Sequence, residues 1–299
     1  MAAKSINVDV HHHLWPVELV EALRRRTAAP RLAGWTLVTD GEPPYTVRPE
    51  DHDVVRRAAL AAAHGTTLAL VSLSSPLGIE HLRPDDAGPL LDAYHSGVAA
   101  LPPPFRGWAA AQVTEPDPGA VRAVLARGFV GLQLPATALA DPGGWERCGP
   151  LLDVLEDAGA PLFVHPGPAA PTPGTPGWWP ALTDYVTQMQ RSWYAFRLAG
   201  RPEHPRLRVC FAMLAGLAPV HAERFAARAE PIGPVDRDAF VETSSYGPLA
   251  VGATVRALGT EVVVRGSDAP YAEPGDPGLD AAGNRAVAGD NPARLLGTR

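Results

Sequence analysis

Eight short runs of β-branched, aromatic and aliphatic residues recur along the chain, each separated from the next by room for a helix. They are Ile6–Val10, Thr67–Leu73, Gly107–Val113, Phe129–Leu134, Leu162–His165, Arg208–Met213, Phe240–Thr243 and Val262–Gly266. Ala-rich or amphipathic stretches lie between them, such as Ala120–Ala126, Leu151–Ala158, Pro219–Ala229 and Leu249–Leu258. Strands joined through helical crossovers lie parallel. Eight such units in 299 residues predict an α/β fold, a (β/α)8 TIM barrel, as one domain over 1–299. The runner-up, a doubly wound sheet, usually carries a Gly-rich first turn, and no G-x-G-x-x-G follows the first run. One spacing breaks the rhythm: an insertion of about 14–64 separates the first two runs. It predicts helices around Val17–Arg26 and Asp53–Ala63 and a Pro/Gly-rich excursion at Gly41–Pro49. In a barrel it would lie over the C-terminal face, where function resides.

The first run leads into His11-His12-His13. Side chains on a strand alternate between faces. If the strand continues, Asp9, His11 and His13 share one face, and Val8, Val10 and His12 the other. Two imidazoles at i and i+2 can bind one ion. His165 ends the fifth run and Asp268 follows the eighth. All four sit at C-terminal strand ends, which converge on one mouth in a barrel. Each alone also fits a polar strand end or an Asx-type turn. Jointly, three imidazoles and a carboxylate predict a site for one borderline divalent ion, zinc first, with manganese, iron and cobalt open.

Net charge is −6 and the longest basic run is Arg24-Arg25-Arg26, which argues against a nucleic-acid partner. No segment approaches the length of a transmembrane helix and no signal-like segment precedes the first run, so a soluble, cytoplasmic protein is expected. The two cysteines, Cys148 and Cys210, lack zinc-knuckle spacing and fit a reducing compartment.

The segments "DVHHHLWP", "FVHPG", "GSDAPY" and "NPARLLG" resemble the amidohydrolase superfamily in its amidohydrolase-related branch. Closest is the 2-amino-3-carboxymuconate-6-semialdehyde decarboxylase group. Gly34-Trp35 through Arg48 and "LRVCFAMLAGLAPVHAERF" resemble that group's insertion and sixth strand. The resemblance implies that His11, His13 and His165 bind the metal, and that Asp268 ligates it and handles protons. The implied reaction is decarboxylation or hydrolysis of a small carboxylated or cyclic molecule, a small-molecule substrate, through a mononuclear metal-bound water. Binuclear members bridge two metals with a carboxylated lysine on a middle strand; the single lysine, Lys4, precedes the first strand.

One departure stands out. The family usually has a further histidine at the end of strand six, and Met213 occupies that place. Methionine cannot carry a proton. Two alternatives stay open: a diverged member catalysing a cyclisation or dehydration, or a catalytically silent binding module. His221, eight residues on, reads either as a substitute catalytic group or as an exposed helix histidine. Arg48 is either a substrate-carboxylate ligand or a surface arginine. Trp15, Trp178 and Trp179 either wall a substrate pocket or pack under the insertion, and Arg265 is equally open. Family members often form homodimers, so a homodimer is a possible assembly.

Overall fold

A computed structural model describes residues 6–170, 172–229 and 233–298; Lys4 lies outside the described residues. Twelve strands occur among the described residues: β1 (Val8–His13), β2 (Arg31–Ala33), β3 (Thr36–Val38), β4 (Tyr45–Thr46), β5 (Leu68–Ser72), β6 (Phe105–Gly107), β7 (Ala109–Ala110), β8 (Leu132–Pro135), β9 (Leu162–His165), β10 (Val209–Phe211), β11 (Ala239–Glu242) and β12 (Val263–Val264). Two sheets are parallel, in the orders β1-β5-β6 and β12-β11-β10-β9-β8-β7; β2-β3-β4 form a small sheet of their own. That small sheet is antiparallel.

The parallel strands read as near-continuous apolar runs because both of their faces are covered. Val10, Leu70, Leu132, Phe163, Cys210 and Phe240 have no exposed surface. Burial pushes the thiols of both cysteines up, that of Cys148 to about 11, so they act as small apolar groups.

Of the eight predicted runs only Leu162–His165 keeps its bounds; the other seven shift by one to three residues or more, and two of the shifts bear on the site. The first strand runs on through His13, with an irregularity in its pairing to β5 between Asp9 and His12; His11 and His13 still meet on one side, while His12 turns to Arg57. The predicted third run is two strands, β6 and β7, with Trp108 between them. Its N–H donates to Val71 O at 2.9 Å and its indole Nε1 donates to Val10 O at 2.9 Å. A residue bonded at once to β5 and β1 leaves the regular ladder.

Hydrogen bonds run between the two parallel sheets on both sides. Val10 N–H donates to Arg265 O at 2.9 Å, Asp268 N–H to His11 O at 2.9 Å and His13 N–H to Ala269 O at 2.7 Å. On the other side Val130 N–H, just before β8, donates to Gly107 O of β6 at 3.0 Å. The segment between β1 and β5 contains a helix at Val17–Arg25, the small sheet, and a helix at Val54–Ala63. Asp53 caps that second helix, its Oδ1 accepting from Arg56 N–H at 2.7 Å. Among the described residues no helix is long and apolar enough to cross a membrane.

Candidate metal centre

The four residues singled out by their strand-end positions meet. His11, His13, His165 and Asp268 each offer one ligand atom, and these atoms lie within 4.8 Å of one another. β1 supplies two imidazoles from one face, since i and i+2 point the same way. β9 supplies the third. Asp268 arrives on a turn with φ 61°, a left-handed conformation that Asp tolerates better than most residues. Asp9 fixes that turn from below: its Oδ1 accepts from Ser267 N–H at 3.0 Å and from His11 N–H at 3.2 Å.

Each ring has one nitrogen committed outside the cluster. His13 Nδ1 lies 3.0 Å from Ser72 O, and His165 Nδ1 lies 2.8 Å from Pro166 O. A carbonyl only accepts, so both Nδ1 atoms carry the hydrogen. His11 Nδ1 lies 3.0 Å from Glu242 Oε1 and donates likewise. In the neutral rings the Nε2 atoms are then bare lone pairs. Yet His11 Nε2 and His13 Nε2 sit 3.0 Å apart, with Asp268 Oδ1 at 3.4 and 3.1 Å from them. Three acceptors packed this closely repel one another unless a cation lies among them. The donor set therefore fits a divalent ion.

The electrostatics follow from burial and neighbours. Burial holds the His165 and His13 pKa values down, and the other imidazoles add to the shift. Burial would lower His11 too, but the carboxylates of Glu242 and Asp268 outweigh it and raise its pKa. His12 points the other way. Burial and then Arg57, whose Nη2 lies 3.0 Å from its Nδ1, push it down to about 2. It is a packed neutral ring on the opposite face from the cluster.

The mouth is edged by phenols. The Tyr271 ring lies 5.3 Å from that of His13. Tyr271 as a residue is 47% exposed, but its hydroxyl turns inward toward Ser74 Oγ at 3.5 Å, and burial pushes its pKa well up. The Tyr45 and Tyr271 phenols lie close enough to influence each other's ionisation, and the Tyr185 hydroxyl donates to Glu42 Oε1. Residues 42 and 45 thus reach the mouth from the segment between β1 and β5.

The other expected site residues fall elsewhere. Trp15 is buried and stacked on His52 at 4.6 Å, one step from the cluster, because its Nε1 donates to Ser74 Oγ at 3.0 Å. Trp179 lines a polar cleft of about 500 Å³ with Thr137, Thr183 and Gln188. Trp178 is exposed. The structure turns Arg48 outward onto Asp51 at 2.8 Å and Glu50 at 3.6 Å. His221 ends the 3-10 turn Ala218–His221, exposed, and among the described residues its imidazole has no hydrogen-bond partner. It does not join the cluster, because the chain after β10 first makes a left-handed turn. Met213 opens that turn, half-buried.

Sequence reading passed over Glu242 and the three tyrosines. Glu242 carried the same signal as His165, a polar residue closing a buried strand. The tyrosines come from separate loops and carried none.

No family model matches the sequence, and no curated protein matches it. Solved structures do. IDCase from Metarhizium anisopliae, in its apo form, superposes with a TM-score of 0.80 at 17% identity, over 97% of each chain. The 5-carboxyvanillate decarboxylase of Sphingomonas paucimobilis gives 0.72 at 20% identity, over 98% of this chain and 99% of that one. A dihydroxybenzoic acid decarboxylase from Polaromonas, with bound manganese and the inhibitor 2-nitroresorcinol, gives 0.66 at 16% identity, over 99% and 98%. The chain shares the fold of these decarboxylases along essentially its whole length.

Proposed function

We propose that this chain is a metal-dependent carboxy-lyase of the amidohydrolase type, removing carbon dioxide from a small carboxylated ring compound. The observation that carries the reading is the convergence of three bare imidazole nitrogens and one carboxylate oxygen. The fold shared with decarboxylases supports it. Hydrolysis is the second reaction open to the same donor set; the neighbours favour neither a cyclisation nor a silent binding module.

His11, His13, His165 and Asp268 would hold one divalent ion. Zinc suits the imidazole-rich set, and manganese, present in the Polaromonas neighbour, is the second ion to test. When bound, the ion supplies Lewis-acid polarisation of a substrate oxygen. Asp268 would first take a proton from solvent water or from an acidic hydroxyl of the substrate and then return it to the ring carbon: the C–C bond to the carboxylate breaks, carbon dioxide leaves, and a C–H bond forms in its place. Tyr45, Tyr185 and Tyr271 orient the substrate and narrow the entrance to water, with Trp179 beside it. Met213, His221, Arg48 and Trp178 carry no proton-transfer role in this proposal.

We further propose that the two parallel sheets close into one (β/α)8 barrel, a single domain over 1–299. The β1 bonds to the segment after β12 support closure. The bond from Tyr185 to Glu42 and the nearness of Tyr45 to Tyr271 support placing the insertion over the mouth. Buried unpaired cysteines suit the cytoplasm.

The test is carbon dioxide release from 2,6-dihydroxybenzoate and 5-carboxyvanillate by protein loaded with zinc or manganese. Turnover that disappears on chelation and returns with metal is the expected result. Purified protein that binds neither ion and releases nothing across the panel would sink the reading.

A further inference from the structure

Glu242 is a buried acid that the proposed chemistry leaves unused. It closes β11 with no exposed surface. Its Oε1 accepts from His11 Nδ1–H at 3.0 Å, from the Met213 N–H at 2.7 Å and from Ser244 Oγ at 2.6 Å; its Oε2 accepts from Ser244 N–H at 2.6 Å. The chain makes room for it. A Cβ at Gly266 would collide with the Glu242 carboxylate and approach His11 Cβ to 2.9 Å. Three separate elements therefore converge on one carboxyl group: β1, the turn after β10 and the loop after β11.

The turn is the unusual partner. Met213, Leu214, Ala215, Gly216 and Leu217 have φ values of 54°, 49°, 54°, 60° and 63°. All of them lie in the left-handed region, and only one is glycine. Each L-residue there brings its Cβ against a carbonyl oxygen, and such residues normally occur singly. A run of them persists only where its surroundings over-determine it. Glu242 holds the first N–H of the run with the same oxygen that holds His11.

We infer that Glu242 is a positioning residue for the metal centre, coupling His11 to the 213–217 turn through one shared oxygen. The inference rests on the metal reading above. With Oε1 in place, the His11 Nδ1 keeps its hydrogen and Nε2 faces the cluster. With the carboxylate made an amide, its one neutral oxygen must serve His11 Nδ1–H, the Met213 N–H and the Ser244 hydroxyl, and its NH2 opposes the Ser244 N–H, so both the His11 tautomer and the first anchor of the turn are weakened. Metal binding and the order of the turn are then linked, since each tightens the same carboxylate.

The test uses the full chain, stripped of metal and titrated with manganese by calorimetry, as wild type, Glu242→Gln and Ser244→Ala. Far-UV circular dichroism confirms that each variant is folded. Glu242→Gln is expected to bind manganese about 10–100-fold more weakly. Ser244→Ala, which keeps the carboxylate but frees one of its bonds, is expected to lose less. Hydrogen exchange at the 213–217 amides separates positioning from plain stability: manganese should slow it in wild type and not in Glu242→Gln. A folded Glu242→Gln with wild-type affinity overturns the inference, and so does wild-type exchange at 213–217 that ignores manganese. If Glu242→Gln does not fold, Ser244→Ala decides, and unchanged affinity with unchanged exchange overturns it. Wild type that binds no metal sinks the proposed function and this inference together; a loss confined to the variant comparison sinks only this one.

Discussion

Asp268 stands where two functions meet, as a partner of His11 and His13 and as the one cluster member with appreciable side-chain exposure, 23%. Asp268→Asn keeps the shape and one acceptor but removes the group that moves a proton. Carbon dioxide release is expected to fall about 10²–10⁴-fold, with manganese affinity, followed by calorimetry, changing far less. Loss of both together would make Asp268 a ligand only. Two other buried rings add to the acid sensitivity that His12 already brings. Burial pushes His52 and His95 down to about 4 from the ordinary 6.5, and each accepts a backbone N–H, from Trp15 at 3.1 Å and Ala110 at 3.1 Å. Below 6.5 the unfolded chain binds protons that the folded chain refuses, so stability falls as pH drops from about 6.5 towards 4. The slope should be shallower in His95→Gln, read from urea midpoints across that window; an identical slope contradicts the assignment. Single residues were partly legible in the sequence. His11, His13, His165 and Asp268 announced themselves by their place at strand ends, a local property. Glu242 and Tyr271 acquire their meaning only from contacts more than 190 positions away along the chain.

The turn at 213–217 is the element in which local preference and tertiary structure conflict. Ala215 is buried at φ 54°, whereas Gly216 at φ 60° faces the Val186 carbonyl, which a Cβ would meet at 2.5 Å. Ala215→Gly relieves roughly 1–2 kcal/mol of left-handed strain and loses a methyl worth about 0.8 kcal/mol, together with about 0.4–1 kcal/mol through the freer unfolded chain. Near-neutral stability is expected. Gly216→Ala adds strain and a backbone collision, and is expected to be less stable than Ala215→Gly by at least about 2 kcal/mol. Urea denaturation of the pair measures the gap, and equal stabilities would show that the turn relaxes elsewhere. Nothing in "FAMLAG" signalled a left-handed run, because Met, Leu and Ala ordinarily favour the right-handed helix. The parallel strands were legible for the opposite reason: their apolar runs agree with the burial they meet. β2, β3 and β4 were not, since strands of two or three residues hold too few alternations to read.

For the molecule as a whole, the cluster draws on both ends of the chain. His11 and His13 come from the first strand, and Asp268 from the segment after the last, already tied to β1 by hydrogen bonds from residues 10, 13 and 268. An ion bound there would cross-link the beginning of the fold to its end, a place where local opening separates the two most distant parts of the sequence. A ligand that binds only the folded state stabilises it by about 2.7 kcal/mol at a hundredfold excess over its Kd. For a chain of this size that corresponds to a rise of roughly 5 °C in Tm. Manganese or zinc added to stripped protein should produce it, a chelator should reverse it, and a His11→Ala/His13→Ala double variant should show none. A wild-type Tm indifferent to both ions, or a double variant that shifts as much as wild type, would place the ion elsewhere on the surface and leave the convergence of three strand ends without a ligand.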